Sequence, residues 1–257
     1  MNLLAALLAL LQSPLSPVTA RPDLHAGLDT LYAGDFPAAA AYFAALAARD
    51  TADPAPVIFE AGAYIWWASA KDSADFERHR IDSLLGLAIR RARAANDPFW
   101  LATALGYRAR ERELHGSALG AAKDAKAMRD AYRRVLAADS SCIDCYLGLG
   151  VYNYGLARVG ALARLFARII GLGGGNAELG IGYMRRVAHE GDLARVEATW
   201  VLAAALAREA ARDQGGRAVL EREAREYVLR LVARYPANPV FLRFLTEVPE
   251  PSPPSSQ

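Results

Sequence analysis

"GLDTLYAGDFPAAAAYFAALAARDTADP", Gly27 to Pro54, decides how the rest of this chain is read. Gly27 lies in a helix-like pattern. A second amphipathic pattern runs from Phe36 and stops near Asp50 to Pro54. Pro37 sits just inside the second start, where a missing N–H removes no helical hydrogen bond. The stretch therefore predicts two short helices packed against each other.

The same punctuation recurs outward along the chain. "AGAYIWWAS", "LGYRARERE" and "LGVYNYGLA" each place a glycine before aromatic or long side chains. Gly27, Gly62, Gly106 and Gly150 follow at intervals of 35, 44 and 44 residues. A glycine within a helix costs about 1 kcal/mol against Ala. A repeated cost implies a repeated use, and close approach of a neighbouring helix is the simplest. Second helices alternate with these, ending near Pro54, Pro98, Ser141 and Pro239. The pattern predicts a chain of antiparallel helix pairs.

Composition agrees. Ala, Leu, Arg and Glu are strong helix formers, and no segment alternates strictly between apolar and polar residues as a half-buried strand does. The chain has 257 residues, 53% of them hydrophobic, enough for a sizeable core or an elongated array. Its 30 Lys and Arg against 28 Asp and Glu give a net charge of +2, no general attraction to nucleic acid.

Gly27, Gly34, Asp35, Phe36, Ala39 and Phe43 stand where the tetratricopeptide-repeat (TPR) family places its small and aromatic packing residues. The first stretch resembles one such repeat. Further on, Gly148, Gly150, Tyr152, Asn153, Leu165, Gly173 to Gly175 and Gly180 resemble a segment of exported bacterial TPR proteins, and distantly of the inclusion-body-clearance family. The resemblance implies an all-α, TPR-like superhelix of antiparallel helix pairs over residues 21–246. It implies a non-enzymatic scaffold whose first helices line a concave groove for a protein or peptide partner. In that groove Trp67, Tyr107, Arg108, Arg110, Tyr152, Asn153 and Tyr154 are the candidates. Tyr, Trp and Arg dominate binding hot spots. The competing role for each aromatic is core packing. Arg108, Arg110 and Asn153 fit a groove better, because burying them unpaired is costly.

Both ends read as separate from this domain. "MNLLAALLALLQSPLSPVTA" has an apolar run from Leu3 to Leu11, then Pro14 and Pro17, and closes on Val18-Thr19-Ala20. It predicts a signal peptide cut after Ala20 and an exported, periplasmic chain. Residues 247–257 are rich in Pro and Ser and predict a disordered tail.

Val151 to Asn176, "VYNYGLARVGALARLFARIIGLGGGN", invites three readings. A phosphate loop fails: no Lys follows the glycines, and Asn176 stands where a dinucleotide motif needs Gly. The glycines fit a helix stop, with Asn176 capping the next helix. Residues 159–170 are amphipathic, with apolar Val159, Leu162, Leu165, Phe166, Ile169 and Ile170 opposite Arg164 and Arg168. That face either packs on neighbouring helices or lies on a membrane surface.

Cys142 and Cys145 form C-x-x-C. In an exported protein they suit a disulfide. Alternatively, a helix started by Asp139 and Ser140 places both sulfurs near its first turn, where thiols become reactive. No two histidines share helical zinc spacing, and no nucleophile motif is present. The sequence therefore points to no metal, no cofactor and no catalytic residue.

Overall fold

The computed structural model describes residues 21–160, 171–213 and 215–247. Among them every regular element is helical: α1 Pro22–Tyr32, α2 Phe36–Arg49, α3 Ala55–Ala70, α4 Arg78–Ala94, α5 Pro98–Leu114, α6 Ala118–Ala138, α7 Cys145–Arg158, α8 Ala177–Glu190, α9 Arg195–Ala210, α10 Arg217–Arg234 and α11 Pro239–Glu247. The expected signal peptide, most of the 159–170 run and nearly all of the tail fall outside the described residues. Glu247, assigned to the tail from sequence, is still the last residue of α11.

The helix starts follow from local chemistry. The Asp35 carboxylate accepts the Ala38 N–H at 3.1 Å, with Pro37 in the first turn of α2. Asp97 accepts from Phe99 and Trp100, both at 3.0 Å, ahead of a helix that begins on Pro98. Asn176 accepts the Leu179 N–H at 2.9 Å, the cap expected from sequence. Each satisfies N–H groups that a helix cannot satisfy itself. One expected start is displaced. α6 ends at Ala138 and α7 begins only at Cys145; Asp139 instead closes a turn onto the Ser141 N–H and hydroxyl. Its short side chain competes with the helix for backbone donors.

Consecutive helices pack pairwise, and the odd-numbered ones also touch one another: α1 on α3, α3 on α5, α5 on α7. They form one row, with the even-numbered helices packed between consecutive members. Gly27, Gly62, Gly106 and Gly150 all lie on helices of this row. At Gly27 and Gly150 a side chain would clash, and at Gly106 the Met128 side chain would have to give way. A Cβ on Gly27 would lie 2.4 Å from Phe43 Cζ, one on Gly106 3.0 Å from Met128 Sδ, and one on Gly150 2.9 Å from the Gly180 carbonyl oxygen. Gly62 differs from the expectation: its nearest neighbour, the Tyr107 hydroxyl, is at an ordinary 3.8 Å.

The row closes on itself. α11 packs on α3, and Phe241 stands edge-on to Trp66 at 5.5 Å. The Asn238 amide donates to the Tyr32 carbonyl at 2.9 Å, and the Tyr235 hydroxyl to Asp29 at 3.1 Å, each across 206 residues of chain. Arg243 donates to the Ser69 carbonyl at 2.6 Å. α9 joins the closure: Trp200 lies 5.3 Å from Trp66, centroid to centroid. The last helices thus pack back onto the first ones.

Candidate functional site

α3, α5, α9 and α11 converge on a small pit lined by Trp66, Tyr107, Arg110, Glu197, Trp200 and Val240. Its volume is about 20 Å³, the space of a water molecule or two. Glu197 is the centre of it. The Tyr107 hydroxyl donates to Glu197 Oε2 at 2.5 Å. Burial pushes the Glu197 carboxyl up, against the pull of that hydrogen bond and of the Arg110 charge. Burial and the Glu197 charge push the Tyr107 hydroxyl well above its usual range. The indole Nε1 of Trp200 is buried with no acceptor among the described residues. The pit therefore combines a poorly solvated carboxyl, an indole N–H and, at its rim, a guanidinium that is 44% exposed and paired through Nη1 with the buried Glu111 carboxylate.

Of the sequence-selected residues, Tyr107 and Arg110 meet here. The other five are engaged elsewhere. Trp67 is half-buried, 6.2 Å from Tyr64 and 5.0 Å from Phe76, under the α3–α4 connection. Arg108 places both arms on the buried Asp124, at 2.7 and 2.8 Å. Tyr152 is buried; its hydroxyl donates to the Leu172 carbonyl and accepts from Arg129 at 2.8 Å. Asn153 donates to the Leu149 carbonyl of its own helix at 2.8 Å. Tyr154 is buried and donates to Glu209 at 3.0 Å. These side chains found partners inside the molecule, so the cost of burying them unpaired never arises.

Sequence reasoning missed Glu197 and Trp200 as site residues. Both lie after Gly175, where no glycine landmark continues the pattern, and only the closure brings them to Tyr107. It also missed a larger hollow of about 100 Å³ beside the pit, walled by His25, Asp29, Tyr32, Asp192, Arg195 and Arg234. There His25 pairs with Asp192 at 3.0 Å, and burial pushes the Tyr235 hydroxyl up to about 12.

Cys142 and Cys145 are joined as a disulfide, and both are buried. Cys145 opens α7, while Cys142 precedes the helix. Among the described residues no group of three His, Cys, Asp or Glu is placed to hold a metal ion, and no helix is long and apolar enough to cross a membrane.

The raised Glu197 carboxyl makes a signed prediction. Its proton is held more tightly in the folded chain than in the unfolded one. It therefore favours folding in acid, and that contribution is lost as pH rises from the ordinary carboxyl range through the raised folded value. Glu197→Gln keeps an acceptor for Tyr107 and removes the titration. The variant is expected to be more stable than the wild type at mildly alkaline pH, with the gap closing in acid. Urea titrations across pH check this; a constant gap would show that Glu197 does not titrate abnormally. Compared with known protein families, curated proteins and solved structures, the chain returns no match.

Proposed function

We propose that this chain is a non-enzymatic, TPR-like scaffold of the cell envelope, exported by its N-terminal apolar segment. Its partner is a protein or peptide, engaged at the mouth of the inner face. The observation that carries this reading is Arg110, exposed at the rim of the pit with its Nη1 on Glu111, while Glu197 and Trp200 stand behind it. A peptide carbonyl or carboxylate suits Arg110 as a charge-assisted acceptor. The aromatic walls supply rigid apolar contact. A pit of this size admits the tip of one side chain and not a whole substrate, which favours recognition over turnover.

The test is site-directed. A photo-crosslinker placed next to Arg110 in the native envelope is expected to trap a defined partner. The same crosslinker beside Arg90 on α4, in the outer flank, is expected to trap none. Arg110→Ala should weaken the recovered complex by about tenfold, the equivalent of 1.4 kcal/mol, in purified binding assays. Equal trapping at both sites, or unchanged affinity, would sink the inner-face reading.

A further inference from the structure

We propose that the Cys142–Cys145 disulfide is a redox latch that holds α9 in place through Asp144. The bond encloses only Ile143 and Asp144. A ring that short fixes the backbone of both residues, and so fixes where the Asp144 side chain aims. Asp144 aims across the fold. Its carboxylate accepts the Asp192 N–H at 2.8 Å and the Leu193 N–H at 2.9 Å, in the loop that leads into α9.

The seat is built for it. A Cβ on Gly191 would lie 2.9 Å from Asp144 Oδ1 and 2.6 Å from the Val187 carbonyl oxygen, so only glycine lets the two approach. α9 starts at Arg195 with no side-chain cap of its own, and depends on this loop for its entry. Asp192 also pairs with His25 of α1. One carboxylate on a disulfide-bound turn therefore orders the loop that positions Glu197 and Trp200 and ties α9 to the first helix. Asp144 is itself only 7% exposed. Without its N–H donors it would be a buried, unsatisfied carboxylate, so it leaves for water once its backbone is free to turn.

Opening the latch requires a dithiol reductant. A thiolate of the reductant attacks one sulfur and forms a mixed disulfide; its second thiol then resolves it. The Cys142–Cys145 bond breaks, two electrons and two protons arrive, both cysteines become thiols, and the reductant closes to its own disulfide. Both sulfurs are buried, so the attack waits on local opening and the latch is slow. The inference does not depend on what the inner face binds.

Hydrogen exchange read by mass spectrometry on the full chain tests it. The oxidised protein is compared with protein reduced by dithiothreitol, with Cys142→Ser plus Cys145→Ser, and with Asp144→Asn in which the disulfide remains. Alkylation of the free thiols confirms reduction. Exchange over residues 192–206 is expected to rise by about tenfold or more in all three, while α4 keeps its protection. An unchanged α9 after confirmed reduction overturns the latch. So does an equal rise in α4, which would mark the disulfide as a general staple. An unchanged α9 in Asp144→Asn overturns the route through Asp144.

Discussion

Trp66→Ala is expected to lower the stability of the chain by about 3–5 kcal/mol, the range for removing a large aromatic from a packed core. Trp66 is 5% exposed and faces rings from three other segments. Tyr32 of α1 stands edge-on at 5.7 Å, Phe241 of α11 at 5.5 Å, and Trp200 of α9 lies tilted at 5.3 Å. Asn238 and Arg243 tie the neighbouring walls to the Tyr32 and Ser69 carbonyls, so these walls cannot collapse far into the space left behind. Trp66→Phe should recover part of the loss. Denaturant unfolding followed by circular dichroism measures both. A cost of about 1 kcal/mol or less for the alanine variant, as at a typical surface or half-packed position, would mean that the closure of α9 and α11 onto α3 does not persist in solution.

The second large effect reverses an ordinary rule. A glycine inside a helix is normally improved by alanine, by about 1 kcal/mol. Gly150→Ala is expected to lose about 1–3 kcal/mol through overpacking. Its new Cβ would lie 2.9 Å from the Gly180 carbonyl oxygen and 3.2 Å from the Met184 nitrogen, and backbone cannot step aside as a side-chain tip can. Gly180 mirrors it: a Cβ there would lie 2.7 Å from the Gly150 oxygen. Gly155 and Gly182 sit on the same two helices with open space around them. Gly155→Ala and Gly182→Ala should stabilise. Thermal melts of the three variants give the signs directly. A stabilised Gly150→Ala would show that α7 and α8 cross further apart than described.

The helix pairs were legible because their signals are local. Pro37, Pro98 and Pro239 mark first turns, and Asp35 and Asp97 cap the helices that follow. The glycine period pointed to close helix crossings, and the tight contacts at Gly27, Gly106 and Gly150 answer to it, while Gly62 does not. The site was less legible. Arg108 was expected to face a groove because an unpaired buried guanidinium is costly, yet Asp124 lay one helix away to pair with it. Asn153 was expected in the groove for the same reason and bonds its own helix. Periodicity states which face of a helix is covered and not what covers it. Nothing near Tyr107 in the chain announces Glu197, which is 90 residues away.

That closure has a consequence for how the chain matures. It emerges from the ribosome N-terminus first, so α1 to α3 are complete long before α11 exists. Until then Trp66 and Tyr32 lack Phe241 and Tyr235, and the Tyr32 carbonyl lacks the Asn238 amide. Contacts across 206 residues carry a large loop-closure cost and slow the final step. A chain truncated before Pro239 would keep most of its helices and leave this aromatic surface uncovered. Intermediates with such surface exposed are prone to aggregate, so a partly synthesised copy is expected to be stickier than its short, local helix pairs would suggest.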